Sequence, residues 1–376
     1  MPLSQGTVAE EWDQCLGQIE RMVTEGLRPV KLNIFADIPD YKSYKDIKKI
    51  IGVSVSSRLR YSVPAYCVTV HPPENPWSIA VEGLFVPGAT NEIRTKYAGA
   101  LPYVVVATGC GREIWAAGLG TDEYPDNTRE AAAKAFDKMA EILFQEKMSF
   151  NNIVRQWNFI GNILEMREGY QNYQHFNEVR SEYYSRFRTC LGYPAATGVG
   201  MKLGGVLIDF NAVEADDSLK IQSVENPDQI NAYEYGQQVL KGLVWKDRKA
   251  KNQPQFERAL FLANRSVSTL YISGTASIVG QETIGTGDIE EQTRVTIRNI
   301  SKLTDSGRKI RSGEKQGQAH GRFSVVRVYI KNREDFSLVR KICDENYSPA
   351  PAIYIEADIC RDDLLTEIEA EYSINH

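Results

Sequence analysis

The stretch PAIYIEADICRDDLLTEIEAEY, residues 351–372, ends in a strict alternation. From Leu364 onward, Leu364, Thr366, Ile368, Ala370 and Tyr372 fall on one side, and Leu365, Glu367, Glu369 and Glu371 on the other. Side chains of a strand point to opposite faces with period two, so the run predicts a strand with an apolar face and an acidic face. Two readings of the acidic face stay open. It is the solvated side of an edge strand, or it holds one carboxylic acid in a pocket.

Working outward, FSVVRVYIKN (323–332) predicts a strand and REDFSLVRKICDENY (333–347) a helix. Before them, GDIEEQTRVTIRNISKLTDSG (287–307) sets Ile289, Thr293, Ile300 and Leu303 at helical spacing. The first half runs the same course. Its helix DNTREAAAKAFDKMAEILFQ (126–145) opens on Asp126, Asn127 and Thr128 as caps. A strand at 152–163, a helix at 168–187, the turn-like YPAATGVG (193–200) and a strand at 203–213 follow. The two ends align by type, Pro194-Ala195 with Pro351-Ala352 and LIDFNAV with LTEIEAE. An internal duplication of an αβαβ unit follows from this, and helices on one face of a mixed sheet make an α+β fold. The predicted domains are 1–214 and 215–376. The polar, turn-rich segment 215–255 is expected to be a long surface connection.

Composition narrows the function. A net charge of −5 argues against a nucleic-acid or membrane-surface partner, which calls for a basic patch. No apolar run is long enough for a transmembrane helix, and MPLSQGTVAEEWDQ is not a signal peptide. Six cysteines without a CxxC pair suit a reducing cytoplasm. His71, His175, His320 and His376 lack ligand spacing, so no metal is expected. P-loop, nucleophile-elbow and dinucleotide motifs are absent, and no cofactor is expected.

LYISGTASIVG, DIEEQTRVTIRNI, VVRVYIKNREDF and LLTEIEAE together resemble the YjgF/RidA fold over residues 256–376. The resemblance implies two such domains, each a mixed β-sheet with helices on one face. The arginine of that family's Pro-Ala-Arg motif is replaced by Ala196 in the first copy and Ile353 in the second, which weighs against a RidA-like enamine/imine deaminase. A second resemblance spans nearly the whole chain. VRQWNFIGNI, YQNYQHFNEVRSEYY, YPAATGVG, VENPDQINAYEYG, LYISGTASIVG and EADICRDDLLTEIEAE are similar to the chorismatases, which remove the enolpyruvyl group of chorismate. A metabolite-binding module without catalysis is the remaining rival.

The resemblance implies that Glu367 is the catalytic acid, with a pKa raised by burial and by the substrate's carboxylates. Glu369 and Glu371, on the same side of the strand, are expected to be structural or solvated. Gly274 and Cys360 stand where the 3-hydroxybenzoate-forming members carry glycine and cysteine, which implies that product rather than a dihydroxycyclohexadiene acid or 4-hydroxybenzoate. Arginine suits the substrate's carboxylates. Arg155 sits in a strand suited to burial, where it either meets ligand or pairs with an acid. Arg180 lies on a helix beside Glu178 and Glu182 with the same two options, and Arg327 is expected at the surface. Tyr193 and Thr197 flank the PAAT turn and offer hydroxyls to a ligand, or simply pack. Oligomeric state is left open.

Overall fold

A computed structural model of the chain describes residues 1–108, 111–120, 127–190, 192–215, 219–246, 248–263, 267–312 and 320–375. The chain opens with α1 (Val8–Thr24), β1 (Leu27–Ala36), α2 (Tyr41–Arg58), β2 (Ala65–Thr69) and β3 (Ile79–Pro87). Thr7 and Glu10 close a capping box at the start of α1. The buried side chains Trp12, Leu16, Ile51 and Val55 of the two helices pack on Leu32 and Ile34 of a three-stranded sheet ordered β2-β1-β3. These residues therefore form a sheet of their own, which the duplication pattern does not foreshadow.

The middle sheet follows: β4 (Glu92–Ala98), β5 (Leu101–Thr108), β6 (Gly111–Gly120), α3 (Thr128–Gln145), β7 (Ile153–Gly161), the short hairpin of β8 (Met166–Arg167) and β9 (Tyr170–Gln171), α4 (Asn172–Phe187), β10 (Ala195–Met201) and β11 (Val206–Ala215). Its order is β10-β7-β11-β6-β5-β4. Asn127 caps α3, and Asp126 lies outside the described residues. Helices α3 and α4 cover one face through Ala132, Phe136, Met139 and Phe176. YPAATGVG is not a turn. From Ala195 it is a strand parallel to β7, with Thr197 beside Trp157. Its small residues let the other half of the chain approach the sheet edge closely.

The last sheet contains β12 (Lys220–Val224), β13 (Ala259–Ala263), β14 (Val267–Ala276), the hairpin of β15 (Ile278–Val279) and β16 (Glu282–Thr283), α5 (Ile289–Ser312), β17 (Gly321–Ile330), α6 (Phe336–Tyr347), β18 (Ala352–Glu356) and β19 (Thr366–Asn375). The six main strands run β12-β13-β14-β19-β17-β18, with α5 and α6 on one face. Two six-stranded mixed sheets, each covered on one face by two helices, match the α+β reading. No described helix is long and apolar enough to cross a membrane.

One expectation changes and one open reading closes. The 215–255 segment is not a plain surface connection, since it contributes β12 and buries Asn226, Ala232, Tyr235 and Leu240. Strand β19 is not an edge strand either, because it lies between β14 and β17. Its apolar face packs under the helices. Its acidic face turns toward a core shared by all three sheets, built from residues such as Phe35, Trp115, Trp157, Phe159, Tyr329 and Ile355. Alternation reports two faces, and here another sheet covers the second.

Candidate active site

The edge strand β10 meets β14 through side-chain hydroxyls. Ala196 N donates to Ser273 Oγ at 2.9 Å, and Ser273 Oγ donates to the Glu257 carbonyl at 2.6 Å. Gly274 N donates to Thr197 Oγ1 at 3.0 Å. Between Ile272 and Thr275 the register of β14 against β19 shifts, so the backbone at Ser273 and Gly274 is irregular. Such bulges re-aim strand residues beside sites. Gly274 consequently faces the side chain of Glu367. A Cβ added there would overlap the Glu367 carboxyl group and sit 3.1 Å from Thr197 Cγ2, so only glycine leaves that carboxyl where it is.

A cavity opens at this junction, bordered by Thr197, Gly274, Cys360 and Glu367 and by Arg180 and Tyr173 of α4. The segment expected to be a surface connection roofs it with Tyr235, Val239, Leu240, Pro254 and Phe256. Glu367 is buried, and among the described residues no side chain donates it a hydrogen bond or forms an ion pair with it. Burial first, and the nearby charge of Glu369 second, raise its pKa to about 8, against the smaller opposing effects of Arg155 and Arg258. Near neutral pH it is a carboxylic acid aimed into a cavity. Burial and the neighbouring Glu367 push the Cys360 thiol up to about 12, so it stays protonated and offers a weak S–H donor rather than a thiolate.

Three arginines converge here from separate elements: Arg180 from α4, Arg258 from just before β13 and Arg361 from the loop after β18. Arg180 Nη2 donates to Asn177 Oδ1 at 2.5 Å. Arg258 Nη2 donates to the Ile230 carbonyl at 2.5 Å and to the Tyr235 hydroxyl at 2.6 Å, and Arg361 Nη1 to the Gln281 carbonyl at 2.7 Å. The guanidinium groups of Arg258 and Arg361 both lie against the Tyr235 ring, 5.6 and 5.1 Å from its centroid. None of the three has an acidic partner among the described residues, and each keeps a buried nitrogen without an acceptor: Nε of Arg180, Nε of Arg258 and Nη2 of Arg361. Buried donors without acceptors are rare, and three in one cavity suit an anionic ligand.

Of the residues singled out from the sequence, Glu367, Cys360, Thr197, Arg180 and Gly274 line the cavity. Arg155 does not. It is 2% exposed and lies behind the wall, where its Nη2 donates to Thr197 Oγ1 at 2.7 Å and to Glu369. Tyr193 is also set back, stacked on Tyr184 at 5.8 Å with its hydroxyl accepting from Gln255 Nε2 at 3.2 Å. Arg327 is not at the surface. Directly opposite Glu369 in the β17–β19 register, it is buried and bridges Glu369 to Glu82 of β3. The pattern VVRVYIK carried that signal, since an arginine among apolar residues of a central strand needs a carboxylate across from it. The sequence does not mark Arg258, Arg361 or Tyr235, because each stands in a polar or turn-like context that is ordinary at a surface. Among the described residues no group of histidine, cysteine and carboxylate side chains could hold a metal.

Comparison with known proteins gives a consistent result. A family profile described as chorismatase FkbO/Hyg5-like, N-terminal, matches residues 101–212. A 3-hydroxybenzoate synthase of Streptomyces hygroscopicus is 34% identical over 247 residues, which are 64% of this chain and 68% of that protein. A chorismatase of Streptomyces rapamycinicus is 32% identical over 256 residues, 67% of this chain and 73% of its own. Among solved structures, a crystal structure of a chorismatase shares the fold with a TM-score of 0.65, covering 92% of both chains at 20% identity.

Proposed function

The chain belongs to the chorismatase family, and from that premise we propose that the cavity at Glu367 removes the enolpyruvyl group of chorismate, giving pyruvate and 3-hydroxybenzoate. One observation carries the reading: a carboxylic acid that keeps its proton near neutral pH stands in one cavity with three arginines that have no carboxylate partner among the described residues. Chorismate presents the complement, two carboxylates and an enol ether whose methylene carbon must be protonated.

In this reading Arg180, Arg258 and Arg361 hold the carboxylates, with Thr197 at the cavity wall. Glu367 gives its proton to the methylene carbon, and the ether becomes an oxocarbenium ion. A positioned general acid of this kind contributes about 10²–10⁴ in rate. The ring's C4 hydroxyl then attacks C3, the C3–O bond breaks, pyruvate leaves and the hydroxyl proton returns to the Glu367 carboxylate. The resulting epoxide opens and loses a ring proton, which restores an aromatic ring. Water reaching the oxocarbenium carbon first would leave a non-aromatic diol, so the apolar roof of Val239, Leu240, Pro254 and Phe256 favours the aromatic product. Cys360, as a protonated thiol beside Glu367, is placed to pass a proton during ring opening.

The test is to mix purified protein with chorismate, assay pyruvate through lactate dehydrogenase and identify the ring product by mass spectrometry. Equimolar pyruvate and 3-hydroxybenzoate are expected. Absence of pyruvate overturns the activity. Pyruvate with chiefly the diol, or with 4-hydroxybenzoate, overturns the product assignment alone.

A further inference from the structure

Two residues beyond Glu367 on the same face of β19, Glu369 lines no part of the cavity, yet it is the most heavily bonded carboxylate in the region. Five side chains donate to it. Arg155 and Thr197 reach Oε2. Arg327, Trp157 Nε1 at 3.1 Å and the Tyr329 hydroxyl at 3.1 Å reach Oε1. They come from β7, β10 and β17, so the carboxylate is fixed from both six-stranded sheets. Arg327 also binds Glu82 of β3, which ties the third sheet into the cluster. Every donor here serves the ionised form, which can only accept. The cluster of Glu82, Glu369, Arg155 and Arg327 holds two carboxylates and two guanidinium groups, so its charges cancel.

We propose that Glu369 is a positioning residue for the reaction: its locked negative charge, held beside Glu367 inside the protein, keeps Glu367 in the acid form. A charge on Glu367 would add a third carboxylate to a cluster whose two carboxylates and two guanidinium groups already cancel. The charged and titratable groups around Glu367 are Glu369 on its own strand, Tyr329 opposite it on β17, Arg155 from β7, Arg258 from before β13, Tyr173 and Arg180 from α4, Cys360 and Arg361 from the loop after β18, and Tyr235 and Lys241 from the roof. Of these, Glu369 is the one fixed anion, and Arg155 and Arg258 pull the other way. Burial would by itself raise Glu369 as well, but Arg327 and Arg155 hold it well below the usual carboxylate range. Near neutral pH one strand thus carries an ionised carboxylate and a protonated one, and the difference comes from the side chains other strands supply.

The inference rests on Glu367 being the acid of the proposed reaction, and its test has two arms. In the pH profile of kcat/KM, activity falls as Glu367 loses its proton. Glu369→Gln removes the anion and leaves Arg155 unopposed, and both changes favour ionised Glu367. The basic limb should therefore move to lower pH by about one unit or more, and Glu369→Asp should return it toward wild type. A limb that stays in place in folded Glu369→Gln overturns the proposal, even if the rate drops. The second arm needs neither that variant nor substrate. Infrared titration of wild-type protein should show protonated-carboxyl intensity near neutral pH that decreases by one group in Glu367→Gln. Unchanged intensity would put the proton elsewhere and defeat the proposal. A protein that releases no pyruvate yet passes this arm defeats the proposed function and leaves the charge arrangement standing.

Discussion

Glu367 and Glu369 lie about 7 Å apart along one strand, as two steps of extended chain require, and they point the same way. Among the described residues, one accepts five side-chain hydrogen bonds and is held ionised, and the other accepts none and keeps its proton to about pH 8. Nothing in the strand itself separates them. Glu369 faces Arg327 across β17 and Arg155 and Trp157 from β7. Glu367 faces the irregular part of β14, where glycine replaces a side chain, and then the cavity. A carboxylate's role is therefore set by the strands that meet it.

The largest effect expected on this contrast is the loss of the acid. Glu367→Gln should keep the fold and lower pyruvate release by at least about 10²-fold. A variant retaining more than about a tenth of wild-type activity would remove Glu367 from the acid's role. The pH dependence has a definite sign. Activity requires the protonated form, so it should be full below the raised pKa and fall as pH rises through about 8. Stability carries the same sign. The native state holds a proton that the unfolded chain gives up above its ordinary value of 4.5, so Glu367 reduces stability as pH rises toward 8. Glu367→Gln should thus melt no lower than wild type at alkaline pH.

Two arginines sharpen the contrast next. Arg155→Ala strips a cation from buried Glu369, and breaking such a pair costs about 3–5 kcal/mol. The loss should appear in the denaturation midpoint. Arg361→Ala removes a cavity cation that has no carboxylate partner among the described residues, so the fold should hold while chorismate binding weakens by about 1.5–3 kcal/mol, roughly ten- to a hundred-fold in KM. Were the readouts exchanged, with Arg155→Ala stable and poor in KM, Arg155 would be a substrate residue after all.

What the sequence discloses follows the same division. Alternation from Leu364 to Tyr372 marks β19 and its two faces, and helical spacing marks α5, because both are local periodicities. The resemblance of LLTEIEAE to a known motif singles out Glu367. Local pattern cannot reveal that Trp157, Tyr329 and Thr197 cover the acidic face, since they come from three other strands, β7, β17 and β10. The roof is hidden for a related reason: a polar, turn-rich segment looks like surface even when Tyr235 and Leu240 are buried against the cavity. Arg327 was the readable miss, a charge among valines that demanded a partner.

Gly274→Ala with Cys360→Val tests whether the acid's position selects the product. The new Cβ at 274 would overlap the Glu367 carboxyl, which ends a flexible side chain and can swing aside, so the fold should survive. The displaced acid and the lost thiol should shift output from 3-hydroxybenzoate toward the non-aromatic diol, with a smaller rate loss than Glu367→Gln. An unchanged product ratio would separate product choice from this contact.

The smallest effect is expected from Glu371, the third carboxylate on the face, and it is the control for the comparison. It is half-buried, lines a different cavity beside Trp115, Trp157 and Ile353, and accepts no hydrogen bond from a side chain among the described residues. Burial raises its pKa, as it does for Glu367, but no substrate-facing arginine stands near it. If raised pKa alone made an acid catalytic, Glu371→Gln would be damaging. If position in the arginine-lined cavity is also required, Glu371→Gln should retain wild-type kcat and KM within about two-fold, and the basic limb of the pH profile should stay in place. A tenfold loss in that variant would mean that the acidic face acts as a unit, and that the separation of roles between Glu367 and Glu369 is incomplete.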